Sequence, residues 1–216
     1  MGHVALLGDS IFDNHAYIAP DEPPVVAQVR ERLPRDWKAT LLAVDGSVMS
    51  DVPGQLAHMP DDASHIVVSV GGNDALEHTD MLAESARSVA EVFERVSTLG
   101  EAFEGEYRRM VKAVLRRRLP TALCTIYYPA FPDPGIQRLA VAGLTAFNDV
   151  ILRVAGEAGL PVLDLRLICT TPADYANPIE PSAQGGAKIA EVIGTVVTGH
   201  NFMVARTAIF TYRTAG

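Results

Sequence analysis

With 216 residues, the chain has room for one well-cored domain, and its 48% hydrophobic and 20% charged residues are the proportions of an ordinary globular protein. Its formal net charge of −8 disfavours nucleic acid and anionic membranes as main partners, because both attract basic surfaces. No run approaches the roughly 18 consecutive apolar residues of a transmembrane helix, so we expect no membrane span.

Short apolar segments alternate with helical patterns along the chain. The predicted strands cover residues 3–8, 39–44, 65–71, 122–128 and 160–165. Their nearly continuous apolar character is typical of strands that are covered on both faces. The predicted helices cover residues 25–33, a region from 81 to 119 broken near Gly100 and Gly105, residues 136–158 and residues 182–197. This alternation predicts a three-layer α/β/α, flavodoxin-like domain with a five-stranded, mainly parallel sheet.

The chain divides into a domain over residues 1–198 and a C-terminal tail over residues 199–216. The tail is rich in β-forming residues and partly alternates between apolar and polar positions. Two interpretations of the tail stay open. It is either an added edge strand or the contact surface of a homo-oligomer.

The two cysteines, Cys124 and Cys169, both lie in apolar runs and do not indicate a disulfide framework. Buried free thiols are typical of a reducing compartment. The first ten residues carry neither a basic leader nor a long apolar stretch. We therefore predict a cytoplasmic protein.

Polar, glycine-bearing turns follow each of the first three predicted strands. They are "GDS" at 8–10, "DGS" at 45–47 and "GGND" at 71–74. In a parallel sheet, ligands bind beyond the carboxyl ends of the strands, so these turns should meet at one crevice. A serine on the first tight turn can project its hydroxyl into that crevice. Taken singly, each turn also suits an ordinary turn or helix cap.

Two residues of the later turns are suited to stabilising an oxyanion. Gly46 can offer an unobstructed backbone N–H, although a turn glycine with positive φ explains it equally well. Asn73 offers a neutral amide donor, and a donor of this kind can contribute about 3 kcal/mol to transition-state stabilisation.

Taken together and in order, these three blocks closely resemble those of the SGNH hydrolases, also called GDSL esterases and lipases. The resemblance extends from the first strand to about residue 197. It implies an α/β/α fold and hydrolysis of esters or other acyl groups through an acyl-serine, without metal or cofactor. It also implies that Ser10 is the nucleophile. The backbone N–H groups of Ser10 and Gly46 and the side chain of Asn73 then form the oxyanion hole.

The fourth block of that family, Asp-x-x-His-Pro, is altered here to "NPIEP". Asn177 stands where the orienting aspartate belongs, and Glu180 stands where the histidine belongs. A glutamate has an ordinary pKa near 4.3 and accepts a hydroxyl proton poorly unless burial raises that pKa. We expect Phe12, Tyr128 and Phe131 to shield the crevice. The hypothesis is that Glu180 is the general base and that Asn177 is its neutral hydrogen-bonding neighbour.

Other bases remain as alternatives. His15 lies in the loop after Ser10, His78 follows the "GGND" turn, and His200 begins the tail. Ordinary surface or helix positions account for the remaining histidines, which are His3, His58 and His65. The acids at 9, 13, 74 and 180 have no recognised metal-ligand spacing, so we expect no metal and no cofactor.

The sequence therefore predicts a serine hydrolase that cleaves a small ester or an acylated metabolite or sugar through an acyl-Ser10 intermediate, with Glu180 as an atypical base. The alternative is a catalytically silent relative that binds acyl or carbohydrate ligands in the retained crevice. Retention of Ser10 and Asn73 favours the first interpretation, and loss of the aspartate and histidine favours the second.

Overall fold

In the computed structural model, which describes residues 1–212, the apolar segments form a six-stranded parallel sheet. Its strands are β1 (His3–Gly8), β2 (Lys38–Leu41), β3 (His65–Ser69), β4 (Thr121–Cys124), β5 (Val162–Leu163) and β8 (Ile209–Phe210). Their order across the sheet is β2-β1-β3-β4-β5-β8. The predicted α/β class is confirmed. The sheet has six strands instead of five because Ile209 and Phe210 of the tail pair with Val162 and Leu163.

A separate antiparallel hairpin and seven α-helices complete these elements within residues 1–212. The hairpin consists of β6 (Tyr175–Asn177) and β7 (Glu180–Pro181). The helices are α1 (Val25–Arg32), α2 (Val52–Ala57), α3 (Gly72–Leu76), α4 (Val89–Leu115), α5 (Pro134–Ala158), α6 (Leu165–Ile168) and α7 (Ala183–Gly199).

The two faces of the sheet bury separate apolar layers because successive strand residues point in opposite directions. Val4 and Leu6 of β1 pack with α1, α6 and α7, whereas Ala5 and Leu7 pack with α2, α4 and α5. Both cysteines are buried as free thiols. The carboxyl ends of the strands, which carry the polar turns, stay between these layers at one edge.

The predicted break in the long helical region near Gly100 and Gly105 is wrong. α4 runs without interruption from Val89 to Leu115. A glycine inside a helix costs only about 1 kcal/mol relative to alanine. Burial of Phe103 and Tyr107, which lie between and just after the two glycines, holds the helix against the sheet. Tertiary packing thus overrides the local preference for a break.

α5 is long and apolar enough to cross a membrane, judged by length and composition only. The core helix of a soluble protein can satisfy the same criterion. In this fold, one face of α5 buries Phe147, Ile151 and Val154 in the layer shared with α4.

Candidate active site

The turn after β1 presents Ser10 at the edge of the sheet. Gly8 has a φ of +127°, and a Cβ at this position would lie only 1.7 Å from the carbonyl oxygen of Ser69. Only glycine permits this approach of β1 to β3. Asp9 then donates its backbone N–H to the same Ser69 oxygen (3.1 Å). The chain turns sharply at this point, and Ser10, with 7% of its surface exposed, lines a cavity beyond the sheet.

A buried amide that was not predicted from the sequence holds this turn. Gln55 on α2 accepts a hydrogen bond from the Gly8 N–H and donates one to the Gly8 carbonyl, each at 2.8 Å. Its amide nitrogen also lies 3.3 Å from Ser47 Oγ. Gln55 therefore links the turn that carries Ser10 with the turn that carries Gly46. A glutamine in a short amphipathic stretch carries no local signal of this role.

Asn73 lies in the first turn of α3 and lines the same cavity as Ser10. Its Nδ2 atom donates to the Ser47 carbonyl at 2.9 Å. A primary amide has two N–H donors, so the second is free to point at a ligand. This bond places the turn containing Gly46 directly beside Asn73.

Gly46 has a φ of +78° and lies on the exposed side of its turn. It is not among the described residues that line the cavity. No backbone carbonyl within residues 1–212 accepts a hydrogen bond from the N–H of either Ser10 or Gly46. The structure thus brings together Ser10, Asn73 and Glu180, with Gly46 one residue removed through Ser47.

The hairpin of β6 and β7 delivers Glu180 to the cavity, and both neighbours of Glu180 along the chain are anchored. The Tyr127 hydroxyl donates to the Ile179 carbonyl, and Asn14, fully buried, lies with Nδ2 3.4 Å from the Pro181 carbonyl. These contacts come from the loop after β4 and from the loop after Ser10. The position of Glu180 is therefore set by elements distant in sequence.

The Glu180 carboxyl group is buried, with 7% of the residue exposed. Burial raises its pKa to about 7, a nearby negative charge on Asp45 adds to the rise, and hydrogen bonding from the Ser10 hydroxyl opposes it. Oε2 of Glu180 has no hydrogen-bond partner among the described residues. Catalytic contacts are often loose before substrate binds. A buried carboxylate oxygen without a donor is thus available beside a serine hydroxyl.

A second buried acid, Asp9, lies next to Ser10. Asp9 is 4% exposed, and burial raises its pKa to about 8, with the negative charges of Glu180 and Asp74 adding to the rise. The N–H of Ile11 donates to Asp9 Oδ1 at 3.1 Å and partly opposes this shift. Near neutral pH, Asp9 is therefore mainly a neutral acid and does not compete with Glu180 as an anion.

Asn177 pairs with Glu180 across the hairpin, but the expected hydrogen bond from Asn177 to the Glu180 carboxylate is absent from the described residues. The Asn177 side chain accepts a hydrogen bond from the Ile179 N–H at 2.9 Å and closes the tight turn between the two hairpin strands. Asparagine commonly stabilises such turns in this way. Of the three aromatic residues expected to shield the crevice, Phe131 lines the cavity, whereas Phe12 belongs to the core on the α1 side. Tyr128 is not among the described lining residues.

Only one of the three alternative histidines lines the cavity within the described chain. It is His78, an exposed residue at the rim. His15 is exposed in a short 3-10 helix outside the cavity. The His200 ring packs against Phe202 and Phe210, next to the edge strand β8.

The remaining three histidines have structural contacts. His3 is buried, contrary to the expected surface position, because its ring nitrogens bond to Asp62 Oδ1 and Thr40 Oγ1, each at 2.7 Å. His65 packs between the rings of Trp37 and Phe202, with centroid distances of 5.1 and 5.6 Å. His58 bonds to the Gly54 carbonyl on its own helix at the surface. Within residues 1–212, no cluster of three or more histidines, cysteines or acids has a geometry that could hold a metal ion.

The model of the GDSL-like lipase/acylhydrolase family matches residues 6–188, which covers most of the chain and all of the blocks described above. The chain belongs to this family. The resemblance noted in the sequence is therefore confirmed, and the GDSL-like chain is an ester-bond hydrolase of the SGNH type. A search of curated proteins found no match.

Solved structures of lipases and esterases share the fold of this GDSL-like chain. A lipase from a goat rumen metagenome superposes with a TM-score of 0.66 at 19% identity, covering 93% of this chain and 99% of its own. A carbohydrate acetylesterase from Sinorhizobium meliloti gives 0.63 at 12% identity, covering 92% and 99%. An extracellular lipase from Streptomyces rimosus gives 0.62 at 15% identity, covering 87% and 96%. At such low identities, the likeness concerns the fold.

Proposed function

We propose that this GDSL-like hydrolase cleaves esters through an acyl-Ser10 intermediate and that Glu180 is its general base. The observation that carries the proposal is the buried Glu180 carboxylate, which has an unpartnered Oε2 atom and a pKa near 7 and lies beside the Ser10 hydroxyl. A general base works best when its pKa lies near the operating pH. Burial thus gives a glutamate the proton affinity that an imidazole has without help.

In the proposed acylation step, Glu180 accepts the Ser10 proton as Oγ attacks the ester carbonyl. The developing oxyanion accepts hydrogen bonds from the Ser10 N–H and from the Asn73 N–H that is not bonded to Ser47, with Gly46 as a further donor. Protonated Glu180 then gives its proton to the leaving alkoxide, and the acyl-enzyme forms. In the second half of the reaction, Glu180 accepts a proton from a water molecule as the water attacks the acyl carbonyl. Glu180 then returns the proton to Ser10 Oγ, and the carboxylic acid is released.

The substrate we propose is a small ester or an acylated metabolite or sugar. The cavity that contains Ser10 has a volume of about 270 Å³, which suits a small molecule. The competing possibility, a silent relative that only binds such ligands, predicts binding without turnover.

The test is the hydrolysis of p-nitrophenyl acetate by the wild type, Ser10→Ala and Glu180→Gln. Each substitution should lower kcat by at least about a hundredfold, because it removes the nucleophile or the base. Mass spectrometry of the wild type quenched during turnover should detect an acetyl group on Ser10.

The controls are His15→Ala and the exposed Ser50→Ala, which should keep kcat within about twofold of the wild type. Full activity of Glu180→Gln together with loss of activity in His15→Ala would reject Glu180 as the base. An inert wild type that still binds an acyl ligand would identify the silent relative.

A further inference from the structure

The cavity at Ser10 continues as an apolar groove along α5. Its α5 wall is a single stripe at intervals of three and four residues, formed by Ile136, Leu139, Ala140, Gly143, Leu144 and Phe147. This spacing keeps the six positions on one helix face. At about 1.5 Å per residue, the stripe is about 16 Å long. The site therefore has a polar end and a long apolar extension.

Apolar side chains also form the opposite wall of the groove. Leu76 comes from α3, Met81 and Leu82 come from the segment that follows it, and Leu99 comes from α4. Leu82 and Leu139 are each about half exposed, at 48% and 52%. Burial of these exposed leucines by an apolar ligand would contribute favourably to the free energy of binding.

Gly143 leaves the groove open at the middle of the stripe. A Cβ added at this position would meet no heavy atom of the described chain within 4 Å. The backbone is ordinary helix, so no left-handed conformation requires glycine here. Glycine lowers helix stability relative to alanine by about 1 kcal/mol, so the helix itself gains nothing from it. What Gly143 provides is space in the groove.

We propose that this groove binds the acyl chain of the substrate, that the substrate is an ester of a medium-length saturated acid, and that Gly143 sets the acyl length that the enzyme accepts. The inference rests on the proposed acyl-Ser10 chemistry and narrows its substrate. An extended chain advances about 1.2 Å per bond, so the stripe accommodates up to roughly a dozen carbons. The carbonyl would lie at Ser10 and Asn73, and the chain would extend along α5.

The test compares p-nitrophenyl octanoate with p-nitrophenyl acetate, which have the same leaving group. The wild type should have the higher kcat/KM for octanoate. Gly143→Leu should lower the octanoate-to-acetate ratio of kcat/KM at least about tenfold, because the new side chain occupies the path of the acyl chain. Gly156→Leu is the matched control, since Gly156 is an exposed position of the same helix outside the cavity and also has open space around its Cβ. It should leave the ratio unchanged.

Two results in this assay would overturn the inference. One is an equal loss on both esters in Gly143→Leu, which would indicate general damage to the site. The other uses octyl acetate as a third substrate, in which the long chain belongs to the alcohol. A Gly143→Leu variant that loses activity on octyl acetate but not on p-nitrophenyl octanoate would assign the groove to the alcohol part of the ester.

A binding experiment separates this inference from the proposed catalysis. Calorimetry should detect octanamide binding to Ser10→Ala, with at least about tenfold weaker binding to Ser10→Ala/Gly143→Leu. If the wild type hydrolyses no ester, the proposed function fails, and octanamide binding that depends on Gly143 still supports the groove. Absence of octanamide binding to Ser10→Ala would overturn the acyl groove even in an active esterase.

Discussion

At the scale of single residues, Glu180 owes its chemistry to its surroundings. Its ordinary pKa would leave it a weak base, but burial and the charge of Asp45 raise the pKa to about 7. Asp9, the other acid next to Ser10, is buried and has a pKa of about 8. Glu180 therefore loses its proton at a lower pH than Asp9 does.

The pH dependence of hydrolysis follows from the pKa of Glu180. A base acts only when deprotonated, so kcat/KM should fall about tenfold per pH unit below about 7 and level off above it. Asp45→Asn removes a negative charge that raises this pKa, so it should shift the acidic limb to lower pH. The measurement is kcat/KM from pH 5 to 9, with the rate of Ser10→Ala subtracted as background. An acidic limb that does not move in Asp45→Asn would assign the titration to another group.

At the scale of elements, the site depends on contacts between segments that are far apart in the chain. α2 supplies Gln55 to the turn after β1, and the loop after β4 supplies Tyr127 to the hairpin that carries Glu180. The turn of residues 45–47 is tied to α3 through Asn73. These bonds hold the proposed nucleophile, oxyanion donors and base in one geometry before substrate arrives, as preorganised catalysis requires.

Gln55→Met should weaken both stability and catalysis. The substitution keeps the side-chain volume but leaves the buried Gly8 N–H without its acceptor, at about 1–3 kcal/mol. The Gly8 carbonyl loses one of its two donors and keeps the Val44 N–H at 3.1 Å. We expect the free energy of unfolding to fall by about 1–3 kcal/mol in urea titrations. We also expect kcat to fall more than KM changes, because the nucleophile turn loses its support.

Ala57→Met, at an exposed position of the same helix, should leave both quantities unchanged. A Gln55→Met protein with unaltered stability and kcat would show that the two hydrogen bonds to Gly8 are dispensable.

At the scale of the whole molecule, the fold stabilises protonated acids at the carboxyl edge of its sheet. Burial raises the pKa of Asp9 to about 8, that of Glu180 to about 7 and that of Asp74 to about 6. The folded protein therefore holds protons that the unfolded chain releases near pH 4. The contribution of these groups to the free energy of unfolding is fully present below pH 4 and is lost as the pH rises through 6 to 8.

The melting temperature should consequently fall between pH 5 and pH 9. Acids with lowered pKa values, such as Asp164 and Asp174, make the protein more stable as the pH rises. That change takes place below about pH 4, outside the range of this measurement. Asp9→Asn keeps an acceptor for the Ile11 N–H and removes the titration, so it should reduce the fall. Asp61→Asn, at an exposed position, is the control. Parallel melting curves for the wild type and Asp9→Asn across this pH range would contradict the assignment.

Much of the fold and part of the site follow from local sequence. The continuous apolar segments predict buried parallel strands, since only strands covered on both faces have that character. The polar turns after three strands predict where the cavity lies, and the order of Ser10, Gly46 and Asn73 identifies the family. Local sequence does not specify the sixth strand, because Ile209 and Phe210 form a strand only by pairing with the edge of β5.

Residue types and their spacing along the chain were enough to predict the family and the layer architecture. The tertiary structure establishes that Glu180 is buried with a raised pKa, that the Asn177 side chain bonds to the Ile179 N–H, and that Gln55 holds the turn at Gly8. It also decided that a groove runs along α5 past Gly143. The physical reason is that residue type and spacing specify local conformation, whereas burial, charge and open space at a site depend on neighbours brought from distant parts of the chain.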